Sequence, residues 1–244
     1  MNISVEARLG LFFLVLGCIL VLINSLANHI TPTAIAPVEH PNIVSSKEIF
    51  RGDTSKKQVI FTFDGGSGAD SADQILSILS KHRINGTFFL TGQFVHSYPD
   101  LVRKMAKEGN EIFNHTFNHP HLTELDNGQI AMELRRMNIS LEIAVGTSSK
   151  PYFRPPYGDR DDRVLEAAAR EGYWSVYWTI DAGDWEESTG MTAEAVKERI
   201  LSSLAPGNIY LMHLGNKITG NILDEIFSTI ESRGYRIVSL TEGI

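Results

Sequence analysis

The sequence predicts an α/β fold with mostly parallel strands, and two observations carry that prediction. From Val59 onward, short runs rich in β-branched and aromatic residues alternate with longer stretches of helical periodicity. Seven such runs, separated by six helical stretches, form the pattern of a parallel sheet with helical crossovers. On these residues alone, the sheet is either open and doubly wound or a barrel with fewer units than a complete (β/α) barrel.

The elements follow one another in a regular order along the chain. The predicted strands are Val59–Phe63, Thr87–Leu90, Glu111–Phe113, Tyr152–Phe153, Trp174–Thr179, Ile209–Met212 and Arg236–Val238. The predicted helices cover approximately Ser71–His82, Pro99–Lys107, Asn127–Ala144, Asp161–Arg170, Thr192–Leu204 and Ile222–Arg233. Gly109, Gly172 and Gly234 stand where three helices end, a position at which glycine is preferred. Ser71 and Thr192 are predicted to be N-caps.

Composition excludes several classes of protein and site. With 43% hydrophobic and 21% charged residues among 244, the chain resembles ordinary globular proteins rather than disordered ones. Cys18 is the only cysteine, which excludes intramolecular disulfides and any zinc or iron–sulfur site that needs several thiolates. A net charge of −7 gives no broad basic footprint for nucleic acid. Gly65–Gly68 lacks the spacing of a nucleotide-binding loop, so no nucleotide is expected.

The first 27 residues are expected to direct the chain to a membrane. The segment from Leu9 to Leu26 is an uncharged apolar run that is just long enough to span a bilayer. Two interpretations stay open: a retained anchor, or a signal peptide cleaved near the small residues of Ser25–Ala27. The run is longer than the usual apolar core of a signal peptide, which favours the anchor. Either way, we expect an exported protein of the cell envelope, membrane-anchored or secreted.

Residues 28–57 are predicted to be a linker, and residues 58–244 a single folded domain. The linker contains Pro32, Pro37 and Pro41 and shows little periodicity. The folded segment has the usual size of one domain. We expect a monomer whose contact with the membrane comes through the N-terminal segment.

Titratable or cationic side chains follow five of the predicted strands, at the point where each strand ends. They are Asp64, His115, Arg154, Asp181 and His213. In a parallel α/β fold, the carboxyl ends of the strands lie on one face, which is where ligands bind. The pattern therefore predicts an active site at that face.

The segment His115-Thr-Phe-Asn-His119 is the clearest indication of a metal site. Two imidazoles at this spacing can reach one ion when the chain between them is helical or tightly turned. His121 places a third nitrogen nearby. Because the folded part offers no thiolate, the expected ligands are nitrogen and oxygen atoms, which suit zinc and also cobalt, nickel, iron or manganese.

Two further segments carry charged groups at strand ends. Prolines stiffen the loop Arg154–Gly158, and its arginine can hold a carboxylate such as Asp64 in the ionised form. The segment Asp181-Ala-Gly-Asp184-Trp185 puts two carboxylates and an indole at another strand end. Less specific interpretations are a solvated arginine in a turn, an N-cap beside a packing tryptophan, and a structural role for His213.

Five short motifs stand in a fixed order along the folded segment. They are Thr62-Phe63-Asp64, His115-Thr116-x-x-His119-Pro120, Arg154-Pro155-Pro156-Tyr157-Gly158, Asp181-x-x-Asp184-Trp185 and Leu211-x-His213. Together they resemble the ordered motifs of the polysaccharide deacetylases, a family of metal-dependent carbohydrate esterases. The resemblance extends from about Val59 to Thr241. It implies a distorted barrel of seven β/α units, with mostly parallel strands.

The resemblance implies roles for the residues that it matches. Asp64 corresponds to the general base, which takes a proton from a metal-bound water, and Arg154 to the residue that holds this base. His115 and His119 correspond to two ligands of a divalent metal, with zinc expected. His213 corresponds to the general acid that protonates the leaving amine.

The same resemblance implies partners for the acid and for the substrate. Asp181 is expected to tune the pKa of the acid histidine, with Asp184 as the second candidate. The backbone N–H of Tyr157 is expected to stabilise the oxyanion, and Leu211 to line the pocket for the acetyl methyl group. Trp185 is expected on the substrate side of the site.

One position departs from the family pattern. Where the family usually has a second aspartate that binds the metal, this chain has Gly65. Water, Asp70 or His121 could supply the missing ligand, or metal binding could be weak. Our hypothesis is that Gly65 lowers the metal affinity without abolishing catalysis.

The resemblance implies hydrolytic N-deacetylation of an envelope or extracellular polysaccharide, with peptidoglycan amino sugars as the favoured substrate. The alternative is a catalytically weak or inactive glycan-binding pseudoenzyme of the same fold, which the loss of the second aspartate would suit. A metallopeptidase is disfavoured because the helical motif His-Glu-x-x-His is missing from the sequence.

Overall fold

The structure, a computed structural model, describes residues 48–66 and 68–244. The predicted membrane segment 1–27 and residues 28–47 of the predicted linker lie outside these residues. Within the described ranges, no helix is both long enough and apolar enough to cross a membrane.

Nine strands of the described chain form one sheet, and their pairings are parallel. The strands are β1 (Glu48–Ile49), β2 (Gln58–Gly65), β3 (Thr87–Leu90), β4 (Glu111–Asn114), β5 (Tyr152–Phe153), β6 (Trp174–Val176), β7 (Ile180–Asp181), β8 (Ile209–His213) and β9 (Arg236–Val238). Their order is β1-β6-β5-β4-β3-β2-β8-β7, and β9 pairs with β2 beside this row. The predicted α/β fold with mostly parallel strands is confirmed.

Eight α-helices of the described chain connect or flank these strands. They are α1 (Ala72–His82), α2 (Gly92–Ser97), α3 (Pro99–Lys107), α4 (Asn127–Val145), α5 (Asp162–Arg170), α6 (Ala193–Ser202), α7 (Lys217–Ser232) and α8 (Leu240–Gly243). Short 3₁₀ helices lie at Leu122–Glu124, Pro156–Gly158 and Asp184–Thr189. The last two carry residues of the predicted site.

The alternation of side chains along β2 places Asp64 inside the curled sheet. All residues of this strand are buried. Val59, Phe61 and Phe63 belong to the larger core cluster, which contains the buried faces of the surrounding helices. Ile60 belongs to a separate cluster with residues of neighbouring strands. Because successive side chains of a strand point to opposite faces, Asp64 shares the inner face with Ile60.

The segment 174–181 takes part in pairing near both edges of the sheet. The sheet therefore curls on itself like a distorted barrel. Its first part, β6, pairs with β1 and β5, and Tyr177 N still donates to Ile49 O over 2.7 Å. Its last part, β7, pairs with β8, and Thr179 N donates to Ile209 O over 2.9 Å. The expected single strand Trp174–Thr179 is therefore replaced by two short strands, because the segment changes partners between them.

The folded domain begins earlier than the boundary at residue 58 that the sequence suggested. Strand β1 lies within the predicted linker and pairs with β6. Gly52 N donates to Gly207 O over 2.7 Å, and Asp53 N donates to Gly243 O over 2.8 Å. A strand of two residues has no periodicity that could reveal it in the sequence.

The two predicted helix caps have different outcomes. Thr192 Oγ1 accepts a hydrogen bond from Ala195 N over 3.2 Å and caps α6 as predicted. Ser71 precedes α1 but makes no side-chain cap bond to it. Its hydroxyl instead donates to Asn216 O and accepts from Gly220 N. The Ser71 side chain therefore ties the start of α1 to the start of α7.

Candidate active site

Asp64, at the end of β2, is held by a completely buried arginine. Arg154 Nη1 donates to Asp64 Oδ1 over 2.7 Å and to Thr62 Oγ1 over 2.9 Å. The other guanidinium nitrogens, Nε and Nη2, donate to the carbonyls of Val176 and Tyr177, each over 3.1 Å. Because a guanidinium keeps its charge in proteins, Arg154 places a permanent positive charge beside Asp64. Arg154 donates to Oδ1 of Asp64, and Oδ2 receives no hydrogen bond from this arginine.

His115 and His119 bring two ring nitrogens together beside this carboxylate. Their Nε2 atoms are 3.1 Å apart, and His115 Nε2 lies 3.4 Å from Asp64 Oδ2. His115 Nδ1 lies 2.8 Å from Arg154 O. Because a carbonyl oxygen only accepts, Nδ1 carries the proton and Nε2 keeps its lone pair. Metal-binding histidines usually have such a hydrogen bond at their second nitrogen.

The protonation of both imidazoles also suits metal binding. Burial lowers the pKa of His115. Burial and the neighbouring His115 lower the pKa of His119 to about 4. Since a ligand must be unprotonated, two neutral imidazoles with converging nitrogens fit a divalent metal. Within the described ranges, no group of three or more His, Cys, Asp or Glu side chains has the arrangement of a metal site.

Gly65 follows Asp64 and lies against three buried apolar side chains. A Cβ on Gly65 would stand 2.6 Å from Leu90 Cδ2, 2.9 Å from Leu214 Cδ1 and 3.3 Å from Phe94 Cδ2. Apolar side chains therefore occupy the space that the Cβ of an aspartate at this position would need.

Neither side chain considered as a substitute ligand joins the histidine pair. The His121 ring stacks on Tyr157, with 4.2 Å between ring centroids and 14° between planes. Its Nδ1 lies 3.5 Å from Asp159 Oδ2. Asp70 is exposed and does not line the cavity that contains the histidines. Of the alternatives named from the sequence, this arrangement leaves a water ligand and weak metal binding.

The substitution Gly65→Asp is expected to destabilise the protein and to add little zinc affinity. Overpacking a core costs about 1–3 kcal/mol, which lowers Tm by several degrees in a domain of this size. Thermal unfolding and calorimetric zinc titration measure the two effects. In Gly65→Asp with Leu90→Ala, the tightest contact of the new Cβ is relieved, and the zinc affinity should exceed that of the single variant. A single variant with tenfold tighter zinc binding and unchanged Tm would contradict this expectation.

At the end of β8, His213 is paired with Asp184 and not with Asp181. His213 Nδ1 lies 2.9 Å from Asp184 Oδ1, and its backbone N donates to Asp184 Oδ2 over 2.7 Å. Asn216 Nδ2 and Thr219 Oγ1 donate to the same completely buried carboxylate. The expectation that Asp181 is the partner of this histidine is thus corrected in favour of the second candidate.

The pairing with Asp184 sets the protonation of His213. Burial by itself lowers the pKa of His213, but the hydrogen bond and charge of Asp184 outweigh burial and hold this pKa above its ordinary value. Burial likewise raises the pKa of Asp184, and the bonds from His213, Thr219 and Asn216 bring it below the ordinary value. The pair is therefore an imidazolium beside a carboxylate up to a higher pH than for a free histidine.

We expect Asp184→Asn to move the basic limb of the kcat/KM profile to lower pH. The reason is that His213 then loses its proton more readily. Asp181→Asn is the matched control, since Asp181 contributes only a minor charge effect on His213. Rates of acetate release across pH measure both limbs. An equal or larger shift in Asp181→Asn would contradict the assignment.

Asp181 organises its own loop. Its Oδ1 accepts from Gly183 N over 2.8 Å, which is an Asx-type turn. Its Oδ2 accepts from Trp185 Nε1 over 3.3 Å. Trp185 is 54% exposed, so Asp181 orients an indole that stands at the surface.

One cavity of about 680 Å³ brings most of the predicted residues together. The predicted residues in its lining are Asp64, His115, His119, Tyr157, Asp181, Trp185, Leu211 and His213. Arg154 and Asp184 are completely buried and support Asp64 and His213 from behind. The lining also contains Thr91, Gln93, Trp178 and Asn216, which the sequence reasoning missed. Thr91 and Gln93 follow β3, a strand whose end carries no charged residue, so the search for charged strand ends passed over them.

Tyr157 contributes an exposed ring and an unusual backbone to this cavity. Its φ of 58° lies in the left-handed region, which non-glycine residues adopt mainly where surrounding structure enforces it. Its ring lies between those of His119 and His121, at centroid distances of 4.5 and 4.2 Å. Leu211, by contrast, is buried and presents an apolar side chain to the cavity.

The order of these motifs and their convergence on one cavity agree with comparisons with known proteins. A family model described as polysaccharide deacetylase matches residues 51–176. The chain belongs to the polysaccharide deacetylase family. The resemblance noted from the motifs is thereby confirmed, and so is the enzyme class, a hydrolase that acts on amide bonds.

Three similar proteins show the range of the family. The peptidoglycan-N-acetylmuramic acid deacetylase of Bacillus subtilis is 33% identical over 193 residues, covering 79% of this chain and 73% of that protein. A chitooligosaccharide deacetylase of Sinorhizobium fredii is 32% identical over 165 residues, covering 68% and 75%. A family 4 carbohydrate esterase pseudoenzyme from Bacillus anthracis has 29% identity and a TM-score of 0.76, covering 82% of this chain and 69% of that one. A mutant of that pseudoenzyme has restored enzymatic activity.

Proposed function

We propose that this protein hydrolyses N-acetyl groups on the amino sugars of peptidoglycan, with a divalent metal, zinc expected, held by His115 and His119. One observation carries the proposal. A carboxylate fixed by a buried arginine and an imidazole fixed by a buried aspartate line one cavity, beside two imidazoles with converging nitrogens. Relatives named as peptidoglycan deacetylases support the substrate. The N-terminal segment supports action at the cell envelope, by an anchored or secreted protein.

Asp64 is the proposed general base. Arg154 donates to Oδ1, so Oδ2 can accept a proton from the water that attacks the acetyl carbonyl. A bound divalent metal supplies a lower pKa for that water and polarises the carbonyl. Proton transfer to a positioned base contributes roughly 10²–10⁴ to the rate.

His213 is the proposed general acid. Its Nδ1 is engaged by Asp184, which leaves Nε2 to donate a proton to the leaving nitrogen as the carbon–nitrogen bond breaks. The products are acetate and a free amino sugar. Because base and acid differ in environment, each can hold the protonation state that its step requires near neutral pH.

Three further residues are proposed to hold the substrate. The backbone N–H of Tyr157 donates to the oxyanion of the tetrahedral intermediate. Leu211 packs against the acetyl methyl group. The exposed indole of Trp185, oriented by Asp181, offers an apolar face to a sugar ring.

Acetate release by the full chain tests this function. The substrates are peptidoglycan, chitin oligomers and acetylated xylan, each after chelation and after addition of zinc, cobalt, nickel, iron or manganese. We expect metal-dependent release from peptidoglycan. Release from xylan but from neither amino-sugar polymer would overturn the N-deacetylase assignment, and undiminished release after chelation would overturn the metal.

A glycan-binding pseudoenzyme is the second candidate. Two observations favour it: Gly65 stands at the position of the usual third ligand, and a pseudoenzyme is among the proteins that share this fold. Binding of peptidoglycan fragments without acetate release under any of these metals would favour this candidate over the first.

A further inference from the structure

Glu133 is a buried carboxylate that the proposed reaction does not use. It lies on α4, is only 8% exposed, and is absent from the lining of the cavity. A carboxylate removed from water needs hydrogen bonds or an opposite charge to compensate the lost hydration. In this protein, the compensating donors come from the chain between the two histidines.

Three N–H groups between His115 and His119 donate to Glu133. Phe117 N and Asn118 N donate to Oε2 over 2.9 and 2.7 Å. Asn118 Nδ2 donates to Oε1 over 2.6 Å. The two backbone donors belong to consecutive residues, so one oxygen fixes the orientation of two neighbouring peptide planes. Hydrogen bonds to an ionised acceptor are the stronger kind.

The segment that Glu133 holds is conformationally unfavourable by itself. Thr116 and His119 have φ angles of 66° and 60°, in the left-handed region that non-glycine residues usually avoid. Two local bonds also support it: Thr116 N donates to Asn114 Oδ1 over 2.8 Å, and His119 N donates to Thr116 Oγ1 over 3.1 Å. Such a backbone persists only where its surroundings enforce it.

The two histidines differ in how they are anchored. His115 follows β4 directly, its N donates to Leu90 O over 3.0 Å, and its ring bonds to Arg154 O. His119 is itself left-handed and follows the left-handed Thr116 and the two residues whose N–H groups donate to Glu133. Its position relative to His115 therefore depends on the turn. Glu133 holds this turn on one side, and on the other Gly92 N and Gln93 N donate to Thr116 O and Phe117 O.

We propose that Glu133 is a positioning residue for the metal site: its carboxylate fixes the turn that keeps the Nε2 atoms of His115 and His119 at their 3.1 Å separation. This inference rests on the proposed function, in which these two imidazoles hold the metal. Glu133 acts through the backbone and touches neither the metal nor the substrate.

Zinc titration of the full chain by calorimetry tests this role. Glu133→Ala is expected to lower the zinc affinity about 10–100-fold, as is typical when an outer partner of a metal ligand is lost. Glu133→Gln should lie between this variant and the wild type, because its amide oxygen can still accept the two backbone N–H groups. Glu142→Ala on the same helix is the control, since Glu142 is exposed and accepts from Asn138 of its own helix. The absorption spectrum of bound cobalt should change in Glu133→Ala and stay unchanged in the control.

The outcomes separate this inference from the function on which it rests. A folded Glu133→Ala variant that binds zinc as tightly as Glu142→Ala would overturn the inference. If Glu133→Ala does not fold, Asn118→Ala and Glu133→Gln decide: reduced affinity in both supports the role, and wild-type affinity in both overturns it. If the wild-type chain binds no divalent metal, the proposed metal chemistry fails, and this inference fails with it.

Discussion

Replacing Arg154 by methionine is expected to lower the free energy of unfolding by about 3–5 kcal/mol, because it leaves the buried Asp64 carboxylate without its counter-charge. Thr62 and the carbonyls of Val176 and Tyr177 also lose a donor. Methionine is shorter than arginine, so the loss also includes the packing of the guanidinium over the Phe89 ring, whose centroid lies 4.2 Å from Arg154 Cζ. Equilibrium unfolding in urea, followed by circular dichroism, gives the difference.

Two variants make the Arg154 experiment specific. Arg135→Met removes an exposed arginine paired with Glu171, and exposed pairs contribute only about 0–1 kcal/mol. The double variant Asp64→Asn with Arg154→Met removes both charges and should recover part of the lost stability. An Arg154→Met protein as stable as Arg135→Met would show that the guanidinium does not compensate a buried charge.

The largest effect on activity is expected from Asp64→Asn, which should reduce kcat for acetate release roughly 10²–10⁴-fold. The amide keeps the shape of the carboxylate and can still accept from Arg154, but it cannot take a proton from water. Because Arg154 then lacks a counter-charge, stability falls as well. The assay is therefore run well below the unfolding transition that is measured for the variant.

Asp100→Asn is the matched control for Asp64→Asn, since Asp100 is an exposed carboxylate that pairs with Arg103 on its own helix. Its kcat should equal that of the wild type. We expect KM to change much less than kcat in Asp64→Asn, because the base acts on water and does not hold the sugar. More than a tenth of the wild-type kcat in folded Asp64→Asn would exclude Asp64 as the general base.

The sequence predicted the regular part of the fold well, because strong patterns stand behind it. The run from Val59 to Phe63 reads as a buried strand and is one. Strand β1 was missed because two residues carry no period, and its pairing with β6 spans more than a hundred residues of chain. The partner change between β6 and β7 was missed for a related reason: between Tyr177 and Thr179 the chain passes from a bond with Ile49 to a bond with Ile209, and neither partner is near in sequence.

In the candidate site, too, local sequence patterns could be predicted, whereas contacts between residues distant in sequence could not. Charged residues at strand ends could be found from the sequence, but the choice between Asp181 and Asp184 could not, since both stand in one loop. Only the fold shows that the second carboxylate is the one next to His213. Glu133 did leave a signal: it stands between Ile130 and Leu134 on the buried face of α4, where a charge is unexpected without a partner.

The pairing of β2 bears on which parts of the site can move. This strand pairs with β3, β8 and β9, and amides in so well connected a strand usually open only with global unfolding. Asp64 therefore lies on a strand that resists local opening. The exposed Trp185 lies instead on a short 3₁₀ helix, and surface segments of this kind supply the motions that admit substrate and release product in many enzymes. The proposed base thus lies on the best-connected strand of the site, and we expect substrate exchange to depend on the segment that carries the indole of Trp185.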